Sequence, residues 1–276
     1  MQQPYEFTAD DADVILRTPE SKLFRVHKNI LPIASPVFRD MLAVPQPLPG
    51  LTEGAEHDLP IVDIHDSAQD LEVLLRMIYP VAFAPITDLD TLSAAFVILD
   101  KYHTEGLQER LKPLLISSTF LAADPMRVYA IACHWGFKTE ADIAAPYASA
   151  IGISSFTCLD EMRYMSGLDY HRIVLLNQER KEAARSEIFN KPPTCRHCPQ
   201  AFYDNFRPKL AERLLNGNTV FQELGTCMEV CLDIAKETGE RHGGVNCPYG
   251  RFHLEQFVLS LAKSLQNLPT GQNTVA

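Results

Sequence analysis

Residues 12–28 alternate apolar and polar positions in two short runs, ADVILRT (12–18) and KLFRVHK (22–28), separated by Pro19, Glu20 and Ser21. β-Branched and aromatic residues at period two, interrupted by turn formers, predict a β-hairpin. In the second run Phe24 and Val26 share one face and Arg25 and His27 the other, so His27 closes a strand without entering the core. The period then lengthens. Ile30, Leu31, Ile33 and Ala34 recur as one side of a helix, and Ser35-Pro36 starts a second helix. Serine is a good N-cap, and proline is tolerated at the first helical position, where its missing N–H would have no intrahelical partner. This second helix is expected to place Val37, Phe38, Met41 and Leu42 on the core.

Four prolines and two glycines between residues 45 and 60 predict a loop. A third strand is expected around Ile61–His65. Ser67 then caps a helix with Leu71, Leu74, Leu75 and Ile78 at helical spacing, which Tyr79-Pro80 stops. Another helix begins near Asp88, with Leu89, Leu92, Phe96 and Leu99 on one stripe, and leads through DKYHTEGLQERL into the next. Beyond Phe120 the strand pattern ends. Asp124-Pro125 reads as N-cap and first helical residue of a helix closed by Gly136, followed by helices over Thr139–Ala145, Ser154–Met165 and Asp169–Phe189. FNKPPTCRHCPQAFYDNF (189–206) breaks the pattern and reads as a linker or a small metal-held knuckle. Two more helices follow, one striped by Val220, Leu224, Cys227, Cys231 and Ile234, the other by Leu254, Phe257, Leu261 and Leu265. They are expected to pair across the glycine-rich turn at 239–244, and the last residues read as a frayed tail.

With 276 residues, 46% of them apolar, the chain can bury one large core or two modest ones. A net charge of -10 argues against a nucleic-acid partner, because phosphate binding draws on clustered Lys and Arg. The densest basic run, Arg180–Arg185, alternates with Glu179 and Glu182 and reads as a solvated helix face. Neither a signal segment nor a membrane-spanning run stands out. Seven cysteines, an odd number at irregular spacing, fit a reducing compartment, so the cytoplasm or nucleus is expected.

Candidate chemistry is sparse. His27-Lys28 has no acid or nucleophile placed beside it by local sequence. Cys133 and His134, adjacent on a helix, point about 100° apart and cannot act as thiolate and base; Cys133 reads as a core residue. Cys195-x2-Cys198 would let two thiolates reach one structural zinc, with Cys247 and His253 or His242 completing a tetrahedral set; the competing reading is free loop thiols and no cofactor. Cys227 and Cys231 fall on an apolar stripe, which burial explains. Nucleotide-binding, hydrolase-elbow and zinc-protease motifs are absent from the sequence, so an enzyme is not expected; a metal-dependent enzyme around Cys195 and Cys198 is the remote alternative.

The series DADVILRTPESKLFRVHKNILPIASPVFRDML resembles the opening of BTB/POZ domains: Asp13-Val14 before a strand, His27-Lys28 closing the next, then Leu31, Ser35 and Phe38. LEVLLRMIYP and LDKYHTEGLQERL, which contains Tyr102, resemble later parts of the same domain, and DPMRVYAIACHWGF is reminiscent of the helical extensions that follow it in adaptor proteins. The chain is most similar to the fungal BTB proteins with a helical, cysteine-containing tail. The resemblance implies an α+β fold, a small sheet flanked by helices, over residues 10–122, then a helical extension (123–188) and a C-terminal helical region (189–276). It makes Asp13, Val14, His27, Lys28, Leu31, Ser35, Phe38 and Tyr102 structural. It further implies a non-enzymatic interaction module that binds proteins, including a second copy of itself or a cullin of a ubiquitin ligase. The alternative is a dimerising or transcription-associated scaffold. Leu51-Thr52-Glu53 fits the apolar-x-Glu signal of cullin-binding members. Nucleic-acid and membrane partners are not expected.

Overall fold

In the computed structural model the chain divides into two compact units, Met1–Leu115 and Ile116–Ala276. The structure describes residues 6–44, 59–81, 85–150, 162–163, 165–190, 200–216, 230–231, 233–234, 237 and 250–266.

The first unit is built on a three-stranded sheet of order β2-β1-β3. β1 (Val14–Arg17) pairs antiparallel with β2 (Leu23–Val26), Val14 opposite Val26 and Arg17 opposite Leu23, and parallel with β3 (Ile61–Asp63), Ile15 opposite Ile61. Val14, Ile15 and Leu16 are all buried. A central strand covered on both faces has no reason to alternate, which is why VIL runs uninterrupted. β2 does alternate, burying Phe24 and Val26. Thr8 forms a parallel bridge with Arg25 along the outer side of β2, and Phe7 is inserted between the rings of Phe24 and Tyr79, at 5.8 and 5.5 Å.

Five helices, α1 (Leu31–Ala34), α2 (Pro36–Ala43), α3 (Ala68–Ile78), α4 (Leu89–Lys101) and α5 (Glu105–Leu115), complete this unit among the described residues. Their starts are those that the capping residues dictate. Ser35 accepts the Phe38 N–H, Ser67 that of Asp70 and Asp88 that of Thr91. Of the apolar residues expected on α1 and α2, Leu31 and Phe38 are buried, Val37, Met41 and Leu42 are half-buried, and Ile33 is 83% exposed. Four residues make barely one helical turn, so α1 cannot turn a whole stripe inward.

Among its described residues the second unit has helices and no strand: α6 (Ser118–Ala123), α7 (Pro125–His134), α8 (Lys138–Ala150), α9 (Gly167–Asn190), α10 (Gln200–Asn216) and α11 (Gly250–Gln266). Asp124 caps α7 by accepting the Arg127 N–H, and Gly136, at φ 67, closes it. Such a left-handed residue favours glycine, which has no Cβ to clash. α7 is mostly apolar, buries every residue from Val128 to Ala132, and packs on the alanines of α8.

Three expectations change here. α8 continues through Pro146 to Ala150 instead of stopping at Ala145, and Ala148 and Ala150, beyond the proline, are buried. Arg180, assigned to a solvated face, is only 7% exposed, because it lies seven residues from Ile173 and four from Ala184 on the buried stripe of α9. The break at 189–206 is shorter: α9 runs to Asn190, α10 begins at Gln200, and Tyr203 and Phe206 are core residues. That core joins Ala184 and Ile188 of α9, Leu210 and Ala211 of α10, the helical residues Cys231 and Ile234, and Phe257, Val258 and Leu261 of α11. Residues 45–58, most of the helix expected over 154–165, the turn at 239–244 and the end of the chain lie outside the described residues.

Candidate interaction site

The signature residues form two polar clusters that pin the helices to the sheet. At the first, the Asp13 carboxylate accepts the Lys28 N–H at 2.7 Å, tying the end of β2 to the approach of β1. The His27 carbonyl accepts the N–H groups of Ile30 and Leu31, which starts the turn into α1. The His27 N–H donates to the Tyr79 hydroxyl oxygen at 2.8 Å, and Nδ1 lies 3.2 Å from that same oxygen, while Nε2 is 3.3 Å from Asp11. The ring thus faces the Tyr79 hydroxyl through Nδ1 and the Asp11 carboxylate through Nε2. Every polar atom of the ring is thereby used. An acid, a histidine and a hydroxyl are in line, but the hydroxyl is buried against Phe7 and occupied by a backbone N–H, so no nucleophile is presented to a substrate.

At the second cluster the buried Ser35 Oγ–H donates to the Tyr102 carbonyl at 2.7 Å while Oγ accepts the Phe38 N–H at 3.2 Å. The Phe38 ring stacks on Tyr102 with centroids 4.6 Å apart. The Tyr102 hydroxyl donates to Asp66 at 2.8 Å, whose other oxygen meets Lys101 at 2.5 Å. Burial, then the Asp66 carboxylate, pushes that hydroxyl far above the usual tyrosine range, so it stays a donor. Leu31 and Val14 are fully buried. The sequence reading missed Tyr79 and Asp66; Tyr79 had looked only like a helix stop, and Asp66 immediately precedes an N-cap.

Ion pairs brace the surface of the same unit. Arg17 meets Asp63 with two hydrogen bonds, 2.6 and 2.9 Å, across β1 and β3 and holds that carboxyl below the usual aspartate range. Glu72 of α3 accepts from Lys22 and Arg76. Burial alone would raise its pKa, yet the hydrogen bonds from those two cations bring it below the ordinary glutamate value.

Cys133 is half-buried rather than core, and burial pushes its thiol up to about 11, which leaves it protonated and unreactive at neutral pH. Its neighbour Tyr129 donates to the Asp169 carbonyl at 3.1 Å. Cys231 is buried, as its stripe implied. Leu51, Glu53, Cys195, Cys198, Cys227, Cys247 and His242 lie outside the described residues, and His253 is described only as backbone of α11. Among the described residues no group of three or more His, Cys, Asp or Glu could hold a metal ion, and no helix is long and apolar enough to cross a membrane.

The site is therefore a rigid scaffold whose polar residues are spent on its own connections. Residues 4–119 match the family model of the BTB/POZ domain. Among curated proteins nothing matches the chain.

Proposed function

Because the chain carries an N-terminal BTB/POZ domain, a protein-interaction fold that mediates dimerisation rather than catalysis, we propose that it works as an adaptor. In this reading residues 10–122 engage a cullin-based ubiquitin ligase in the cytosol or nucleus and the helical region recruits the protein to be modified. The observation that carries it is the two-part layout: a family match confined to 4–119, followed by helices that close a core of their own. A scaffold with internally satisfied polar residues suits binding rather than turnover.

The test is affinity purification of the full chain from its native cells, probed for cullin. Recovery of a cullin with the wild-type chain and its loss on Leu51→Ala/Glu53→Ala supports the adaptor. A chain that forms a stable dimer by light scattering and recovers no cullin rejects it in favour of a dimerising scaffold.

A further inference from the structure

The outer edge of β2 is occupied by the chain's own first described residues. Thr18 N–H donates to the Lys22 carbonyl, so in the register with β1 the bonded pairs are Leu16 with Phe24 and Val14 with Val26. The backbone groups of Leu23 and Arg25 therefore point away from β1. The Arg25 N–H donates to the Phe7 carbonyl at 2.8 Å, and Arg25 Nε donates to the Ala9 carbonyl at 3.1 Å. Among the described residues this pairing amounts to one parallel bridge, Thr8 with Arg25. Phe7 is the single buried residue from Glu6 to Asp11. Its ring is held between Phe24 and Tyr79, with the Arg76 guanidinium 5.9 Å from its centre.

The two partners are complementary in charge. KLFRVHK (22–28) holds three of the nine Lys and Arg of the first unit, a histidine and no acid. EFTADD (6–11) holds three carboxylates and no cation, and Asp11 lies 3.3 Å from His27 Nε2. The segment also fills the edge only in part. The Glu6 carbonyl turns back to accept the Thr8 N–H at 2.8 Å, so the pairing ends before Leu23. A segment that stayed extended would reach Leu23 and add main-chain bonds that the tethered one forgoes.

We propose that the β2 edge is a docking site for an extended segment of a partner protein, and that Glu6–Asp11 is a strap that fills it in the partner's absence. The strap defines the ligand: a phenylalanine for the pocket between Phe24 and Tyr79, then carboxylates three and four residues further on, with backbone pairing along Arg25 and Leu23. The proposal rests on the interaction-module reading above and adds the partner's chemistry and the contact that restrains it. A short tether holds the strap at an effective concentration of about millimolar, so a partner must displace it. Weakening the strap raises the partner's affinity in proportion to the fraction of open sites.

The experiment is fluorescence anisotropy of the full chain with a labelled peptide of residues 6–13, EFTADDAD, and with its Phe7→Ala counterpart. Phe7→Ala and, separately, Asp11→Lys are made in the chain; Asp11 is exposed, so that variant loosens the strap without touching the core. The peptide is expected to bind the Phe7→Ala chain at least about tenfold tighter than wild type and the Asp11→Lys chain roughly threefold tighter. The Phe7→Ala peptide is expected to bind none of them, and Arg25→Glu added to Asp11→Lys is expected to abolish the gain. The same peptide lengthened by two valines at its N-terminus reaches Leu23 and is expected to bind tighter still. Circular dichroism melts identify the folded variants; where Phe7→Ala does not fold, Asp11→Lys carries the decision. No gain in any folded variant, or equal binding of the two peptides, overturns the proposal. So does a wild-type dimer in light scattering that the peptide dissolves, which assigns the segment to exchange between two copies. Cullin recovery with the Asp11→Lys chain is expected to match wild type and is read separately, so failure of the strap and failure of the adaptor reading are told apart.

Discussion

Replacing Ser35 by alanine removes two bonds from one buried atom. The Phe38 N–H loses its cap, at about 1 kcal/mol for a serine N-cap. The Tyr102 carbonyl, at the end of α4, loses its donor, and an unsatisfied buried polar group costs about 1–3 kcal/mol. The sum is about 2–4 kcal/mol, against a typical domain stability of about 5–15. Urea melts followed by tryptophan fluorescence would mislead, since the single tryptophan, Trp135, lies in the other unit. Native-state hydrogen exchange read by mass spectrometry on peptides spanning 31–44 and 89–104 reports on the right place. At about 1.4 kcal/mol per tenfold, protection there should fall by roughly 30-fold to several hundredfold, with peptides of α9 unchanged. Ser35→Asp separates the two bonds: aspartate caps well but cannot donate when ionised, so it should recover no more than the cap and remain below wild type. If Ser35→Asp keeps wild-type protection, or alanine costs less than about 0.5 kcal/mol, the link from Ser35 to Tyr102 does not hold α2 to α4.

Four further outcomes follow from the geometry. His103→Gly should raise stability by about 1 kcal/mol and Gly136→Ala should lower it by about as much in thermal melts, because both positions are left-handed. Glu72→Gln should be less stable than wild type at pH 7. The folded carboxyl titrates below its unfolded value, so its contribution is present above about pH 4.5 and lost as pH falls through the folded pKa; urea midpoints of the two chains should converge under acid. In timed alkylation with peptide mapping, Cys133 should be among the slowest cysteines at pH 7.5 in the native chain and ordinary in denaturant, since its thiol titrates near 11. Native mass spectrometry should find no stoichiometric zinc, and Cys195→Ser/Cys198→Ser should melt as wild type; one bound zinc lost in that variant would establish the knuckle instead.

What the sequence disclosed was local. Ser35, Ser67, Asp88 and Asp124 each cap the helix expected of them, because a cap bonds two or three residues ahead and its signal lies in one short window. The hairpin and the third strand were equally visible, although the pairing of β3 with β1 was not, since register across 46 residues leaves no periodic trace. The partners of the signature residues escaped for the same reason: Tyr79 lies 52 residues from His27, and Tyr102 lies 36 from Asp66. Arg180 and Pro146 were misplaced because burial of the surrounding stripe overrode what the residue type prefers.

The order of the strands also bears on how the chain acquires its shape. β1 meets β2 across a turn of five residues, yet meets β3 only after both α1 and α2 and the proline-rich stretch have been made. Hairpin closure takes about 1–10 μs, whereas a parallel partner so far along the chain must wait for a costly loop to close. On a ribosome adding about 5–20 residues per second, the hairpin emerges seconds before its third strand. Through that interval one long side of the apolar VIL strand has no neighbour, so the nascent chain is most exposed to misassociation between synthesis of Arg17 and of Asp63. The Arg17–Asp63 pair is then a late contact: its removal should accelerate unfolding and leave the folding rate nearly untouched.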